Sequence, residues 1–210
     1  MPVIAIIGNK GGAGKTTLGI NLASGLSVRG HTVLLDADPQ LSSLQWRQLA
    51  VRDDLVAVHD ATTETSGIIR QFREITEYVV VDCPPSVNAD QTRMALEVCQ
   101  LALIPVLPSP LDLWATIHVE NELIAARSVN RNLKGLIVIN QIEPRTRLSH
   151  IVGAALSEIE LPVANTTISR RMAFRHAMLD GVSIFQMGAQ GREAAGEMKS
   201  LVEEVINHVQ

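Results

Sequence analysis

The residues most plainly equipped for chemistry are those at positions 10–17, KGGAGKTT. A phosphate-binding loop of the ordinary kind asks for a glycine, four free positions, then Gly-Lys-Ser/Thr. Gly14, Lys15 and Thr16 supply the essential end of that pattern, and Asn9 stands where its first glycine would be. Gly11, Gly12 and Gly14, with the small Ala13 among them, free the backbone to curl so that successive N–H groups point at one anion. In such a loop Lys15 reaches the β- and γ-phosphates of a nucleotide, the Thr16 hydroxyl ligates Mg²⁺, and Thr17 lies next in line for the α-phosphate. Lys10 adds a second cation at the front of the string. Aimed at a transferring phosphoryl group it would stabilise developing charge; otherwise it is a solvated surface lysine.

Two groups of carboxylates follow apolar runs. DADPQ places Asp36 and Asp38 at the end of 33–37, and DCPPS places Asp82 at the end of 78–82. Phosphoryl transfer needs an acidic residue near Mg²⁺, which Asp82 after three valines would provide. An aspartate capping a helix or turn is the structural alternative for each.

These groups need strands to carry them. Apolar runs recur at 3–8, 33–37, 55–58, 78–82, 101–106, 135–140 and 162–168, with amphipathic stretches between most of them. Residues 16–28 place Leu18, Leu22 and Leu26 at helical spacing, so the glycine loop lies between a strand and a helix N-terminus, where free N–H groups favour an anion. The alternation predicts an α/β fold: a mostly parallel twisted sheet with helices on both faces. Ligands of such sheets sit at the carboxyl ends of the strands, where both aspartate groups fall.

Composition narrows the classes further. The chain has 210 residues, 46% of them apolar, which suits one domain, 1–210, with a sizeable core. Net charge is −4, which excludes a uniformly basic nucleic-acid binder and leaves room only for a local patch. Cys83 and Cys99 have no metal-type spacing and suggest a reduced compartment. A strand-like start without a leader, and the lack of any membrane-length apolar run, predict a cytoplasmic protein.

Four strings in order, KGGAGKTT, DADPQ, VVVDCPPS and LIPVLPSPLDLWAT at 103–116, resemble the ParA/MinD family of deviant P-loop ATPases. The likeness continues through VINQ at 138–141 and from Thr167 to Gly181, nearly the whole chain. It is nearest to the short, ParF-like partition ATPases, which lack an N-terminal DNA-reading extension. The resemblance implies a P-loop NTPase fold of the SIMIBI type, with ATP and Mg²⁺ as cofactors. It implies that Lys10 crosses a homodimer interface to the partner's phosphates. It further implies that Asp38 positions the attacking water and that Asp36 and Asp82, with Thr16, belong to the magnesium environment. Asn140 would read the adenine, although a strand-end asparagine that only caps a turn fits equally.

Branches of the family differ in cargo. A membrane-binding branch ends in a basic amphipathic helix, whereas 191–210 here turns Glu193, Glu197, Glu203 and Glu204 outward, which predicts a helix packed on the sheet and no membrane partner. The cluster-binding reductase branch needs cysteines unlike Cys83 and Cys99, and the kinase branch carries a tyrosine-rich tail, whereas Tyr78 is the one tyrosine. The resemblance then implies nonspecific DNA as partner, with Arg145 and Arg147 as one candidate patch and Arg170, Arg171 and Arg175, which resemble the family's DNA-contacting region, as another. The alternative is a solvated helix face whose arginines pair with Glu143, Asp180 or the nucleotide. The expected protein is thus a nucleoid-associated ATPase stimulated by a ParB/ParG-like centromere-binding protein or a cargo adaptor. Its cargo would be a plasmid or chromosome, or a protein organelle such as a carboxysome. A metabolic P-loop enzyme and a nucleotide-gated scaffold that hardly cleaves ATP are the rival classes.

Overall fold

The computed structural model describes residues 1–50, 56–143 and 159–209. Seven strands are β1 (Val3–Ile6), β2 (Thr32–Asp36), β3 (Ala57–Asp60), β4 (Tyr78–Asp82), β5 (Leu101–Val106), β6 (Lys134–Ile142) and β7 (Ile168–Ser169). They lie in the order β3-β2-β4-β1-β5-β6-β7, and every pairing is parallel. Among the described residues the helices are α1 (Lys15–Leu26), α2 (Ser42–Leu49), α3 (Thr65–Arg73), α4 (Asp90–Leu96), α5 (Pro110–Ala126), α6 (Met172–Leu179) and α7 (Arg192–Val209).

The central strands are continuous apolar runs because both their faces are covered. Val3, Ala5, Val79, Val81, Ala102 and Ile104 face one core with Ile69 of α3, Leu96 of α4 and Leu113, Val119 and Leu123 of α5. Ile4, Ile6, Val80, Leu101 and Leu103 face the other, with α1, Trp46 of α2 and Met198, Leu201 and Val205 of α7. The terminal helix therefore packs on the sheet, as its pattern predicts. Ser109 begins α5: its side chain accepts from the Asp112 N–H, and Pro110 takes the first turn, where its missing N–H costs nothing.

Two strand expectations need correction. The run at 55–58 is displaced: β3 spans Ala57–Asp60, and residues 51–55 lie outside the described set. The run at 162–168 is no continuous strand. It touches β6 through an isolated bridge at Val163 and pairs again only as the two-residue β7. Between them the Asn165 and Thr166 N–H groups donate to the Glu204 carboxylate of α7 at 2.7 and 3.0 Å, which removes them from any ladder.

Candidate nucleotide and phosphoryl-transfer site

Strand register brings the chemistry together. Ile6, the last residue of β1, pairs with Asp82, and Asp82 pairs in turn with Asp36. The phosphate loop leaves β1 directly beside the two aspartates. Gly12 and Gly14 take φ of +82° and +86°, a region L side chains rarely adopt. At Gly14 a Cβ would also stand 2.5 Å from Asn140 Nδ2, so only glycine fits. Gly11 shows neither constraint: its φ is not positive and the space around it is open.

Lys15 is the first residue of α1 and is buried. Its ammonium donates to the Lys10 carbonyl at 3.1 Å. Burial lowers its pKa, while Asp82 and Asp38 pull it back up. Thr16 and Thr17 line the cavity in front of it with Asp38. Asp36 and Asp82 are also buried. Asp36 accepts from the N–H groups of Asp38 and Leu44, and burial raises its pKa against those bonds. Asp82 Oδ2 accepts from the Ser43 hydroxyl at 2.8 Å, and Oδ1, equally buried, has no hydrogen-bond partner. Burial pushes the Asp82 carboxyl up to about 7, against the neighbouring Thr16 and Ser43 hydroxyls.

The orphaned Asp82 oxygen next to Thr16 suits a hard cation. Among the described residues no group of three or more His, Cys, Asp and Glu could hold a metal alone. Mg²⁺ keeps water and takes phosphate oxygens, so it needs few protein ligands. Asp38 sits at the cavity wall, its Oδ1 accepting from the Gln40 N–H at 3.0 Å. Leu41 then opens α2 at φ +52°, an unusual conformation for a branched residue next to the site.

Lys10 does not project freely. Its Nζ donates to Asp112 Oδ1 at 2.8 Å and lies 3.5 Å from the Leu111 carbonyl, both at the start of α5. Asn140 is likewise engaged: Nδ2 donates to the Ala13 carbonyl at 2.7 Å, and Oδ1 accepts from the Gln141 N–H. Nδ2 thereby braces the phosphate loop with one of its two N–H groups. Gln141, with φ +58°, adds a bond from Nε2 to the Gly12 carbonyl at 2.9 Å. Sequence reasoning missed Gln141 and Ser43; the positive φ of the first and the remote partner of the second leave no local signal.

The cavity holds about 660 Å³ and runs from the phosphate loop to Phe174, Met178 and Leu179 of α6, an apolar end suited to a flat base. Arg170, Arg171 and Arg175 line it too, so this second arginine group borders the nucleotide space and is more than an outer face. Arg170 pairs with Glu143 at 2.7 Å. Arg171 pairs with Glu193 and, at 2.8 Å, with Glu197 of α7. Arg145 and Arg147 lie outside the described residues.

Known proteins are similar to this chain in sequence and fold. The family described as CobQ/CobB/MinD/ParA nucleotide binding domain matches residues 4–184. "Maintenance of carboxysome distribution protein A" of Halothiobacillus neapolitanus is 37% identical over 206 residues, covering 97% of this chain and 95% of its own length. "Protein ParA" of Rhizobium radiobacter is 29% identical over 205 residues, 93% of this chain and 90% of that protein. Among solved structures, a Cyanothece McdA variant in complex with ATP superposes with a TM-score of 0.77 at 17% identity, covering 99% of this chain and 96% of the other; this likeness speaks for the fold alone.

Proposed function

The chain belongs to the CobQ/CobB/MinD/ParA family of nucleotide-binding proteins, and from that premise we propose that it is an ATPase whose ATP-bound homodimer holds DNA and positions cargo. The observation that carries the reading is a cavity lined by the phosphate loop and Asp38, with a buried Asp82, one of whose oxygens is unpartnered, beside the loop residues Lys15 and Thr16. Lys15 and the loop N–H groups bind the phosphates. Thr16 and Asp82, with Asp36 behind them, would hold Mg²⁺, which would supply neutralisation of the phosphate charge. Asp38 orients the attacking water. Lys10 leaves Asp112 and crosses to the second subunit's phosphates, which makes hydrolysis depend on pairing.

Nonspecific DNA binding is assigned to Arg170, Arg171 and Arg175, with Arg145 and Arg147 as a second patch. Contacts of that kind read phosphate and weaken steeply with salt. The protein would work in the cytoplasm, on the nucleoid, as the DNA-holding cycle requires. For the cargo, a protein organelle of the carboxysome kind, held through an adaptor, is favoured by the likeness to the Halothiobacillus protein. Plasmid or chromosome partition with a centromere-binding protein is the second reading, supported by the likeness to the Rhizobium protein.

One experiment tests the cycle. Asp38→Ala is expected to retain ATP-dependent dimerisation and DNA retention while losing at least about tenfold in hydrolysis. In its second arm, Arg170→Glu with Arg175→Glu, compared with the parent at nucleotide concentrations that give equal dimer, is expected to lose DNA retention, leaving the ion pairs of Arg171 intact. Hydrolysis by Asp38→Ala at the parent rate removes Asp38 from its role; unchanged low-salt DNA retention in the double variant removes the arginine patch.

A further inference from the structure

Helix α5 presents an outer face that a surface helix ordinarily does not have. Its inner side is accounted for by Leu113, Thr116, Val119 and Leu123, all buried. Of its outer side chains Leu111 is 69% exposed, Trp114 55%, Ile117 39% and Ile124 54%. Their spacing of three, three and seven keeps them within one arc, and the other exposed positions are His118, Asn121 and Ala125. No Lys, Arg, Asp or Glu stands among them; Asp112, Glu120 and Glu122 are half-buried at the margins. Among the described residues no other helix or strand exposes more than two large apolar side chains. A helix apolar on both sides is normally covered on both, and a contiguous exposed apolar stripe marks an interaction surface.

We infer that the outer face of α5 docks against a second copy of this chain in the nucleotide-bound dimer. This inference deepens the proposed function and rests on its ATP-dependent pairing. Two observations select that occupant. The stripe begins where Lys10 is held, at Leu111 and Asp112, so the surface across which Lys10 must pass to reach another subunit is continuous with it. The lack of charge matters as well. A two-fold axis sets a patch against itself, so any charge would meet its own sign, whereas this face can pair with its copy without that repulsion. At 17 residues the helix extends about 25 Å, enough to form the margin of a sandwich whose centre is the phosphate loop.

Sedimentation with Mg²⁺ and a non-cleavable ATP analogue tests this. Two double variants are compared with the parent: Ile117→Lys with Ile124→Lys, and Ile117→Glu with Ile124→Glu. Each alone is expected to raise the dimer dissociation constant at least about tenfold, and an equimolar mixture of the two to restore pairing. At protein concentrations low enough that the parent is also single, binding of a fluorescent ATP analogue by either variant stays at the parent level, which shows that the fold is intact. In the parent, acrylamide quenching of the exposed Trp114 drops on adding analogue, while the buried Trp46 contributes little in either state. If the parent pairs but both variants pair equally well and Trp114 stays quenchable, the second copy does not sit on α5 and the inference fails while the ATPase reading stands. If the parent binds analogue and remains single, the pairing itself is wrong and the docking face falls with it.

Discussion

Helices α5 and α7 are the two longest among the described residues, lie on opposite faces of the same sheet, and treat solvent in opposite ways. On α7 the core positions Met198, Leu201, Val202 and Val205 are buried, and the exposed ones are Arg192, Glu193, Gly196, Lys199, Ser200, Glu203 and Asn207. On α5 the core stripe is similar, but its exposed side is apolar. The contrast shows that α7 is finished within one subunit and α5 is not. Polar side chains on α7 have further work inside the chain: Glu204 and Glu197 take N–H groups from the irregular segment before and within β7, which fixes the wall carrying Arg170 and Arg171.

The largest expected effect lies in the core of α7. Leu201 is fully buried, and Leu201→Ala should cost about 2–5 kcal/mol of unfolding free energy through lost burial and the remaining cavity. Urea denaturation of the nucleotide-free protein measures it. A loss below about 1 kcal/mol would mean that α7 is a loosely attached appendage, and the contrast with α5 would lose one of its sides.

A smaller effect is expected where α7 grips β7. Glu197 accepts from the Ser169 N–H at 3.0 Å and hydroxyl at 2.7 Å, and from the Arg171 guanidinium. Glu197→Gln removes the charge from that set and should cost about 1–3 kcal/mol near neutral pH. Burial raises the Glu197 pKa, but Arg171 and Ser169 outweigh it and hold the carboxyl below its usual value. A depressed carboxylate contributes stability that is present above its unfolded pKa of about 4.3 and is lost as pH falls through its folded value. The gap between parent and variant should therefore be widest near neutrality and close in acid. A gap independent of pH would show that packing, and no ionic grip, joins α7 to the arginine wall.

Much of this was legible in the sequence because the central strands obey a local rule. Tyr78–Asp82 and Leu101–Val106 have the bounds expected from their apolar runs, and the phosphate loop lies between strand and helix as its string requires. Reading failed where a distant residue decided the outcome. Residues 162–168 look like a strand, yet Glu204 takes the N–H groups of Asn165 and Thr166 from nearly forty positions away. At Asn140 the place at a strand end is visible in the sequence, whereas the bond to the Ala13 carbonyl, more than a hundred positions away, is not. The outer face of α5 differs in kind. LDLWATIHVENELIAA is apolar around most of its circumference, so the sequence held the signal, and only the exposure of Trp114 and Ile124 shows that this chain alone leaves it half covered.

The smallest expected effect is therefore the one that most sharpens the contrast. Trp114→Ser and Ile124→Ser remove large apolar side chains from a helix, the kind of change that at Leu201 should be severe. Both residues are more than half exposed. The side chains cover little within the subunit, and surface changes of this type ordinarily stay within about 0.5 kcal/mol. Urea unfolding of the single subunit, without nucleotide, should place both variants in that range. A loss of about 2 kcal/mol or more would mean that the outer face of α5 is already packed by its own chain, and the distinction between a finished helix and an unfinished one would disappear.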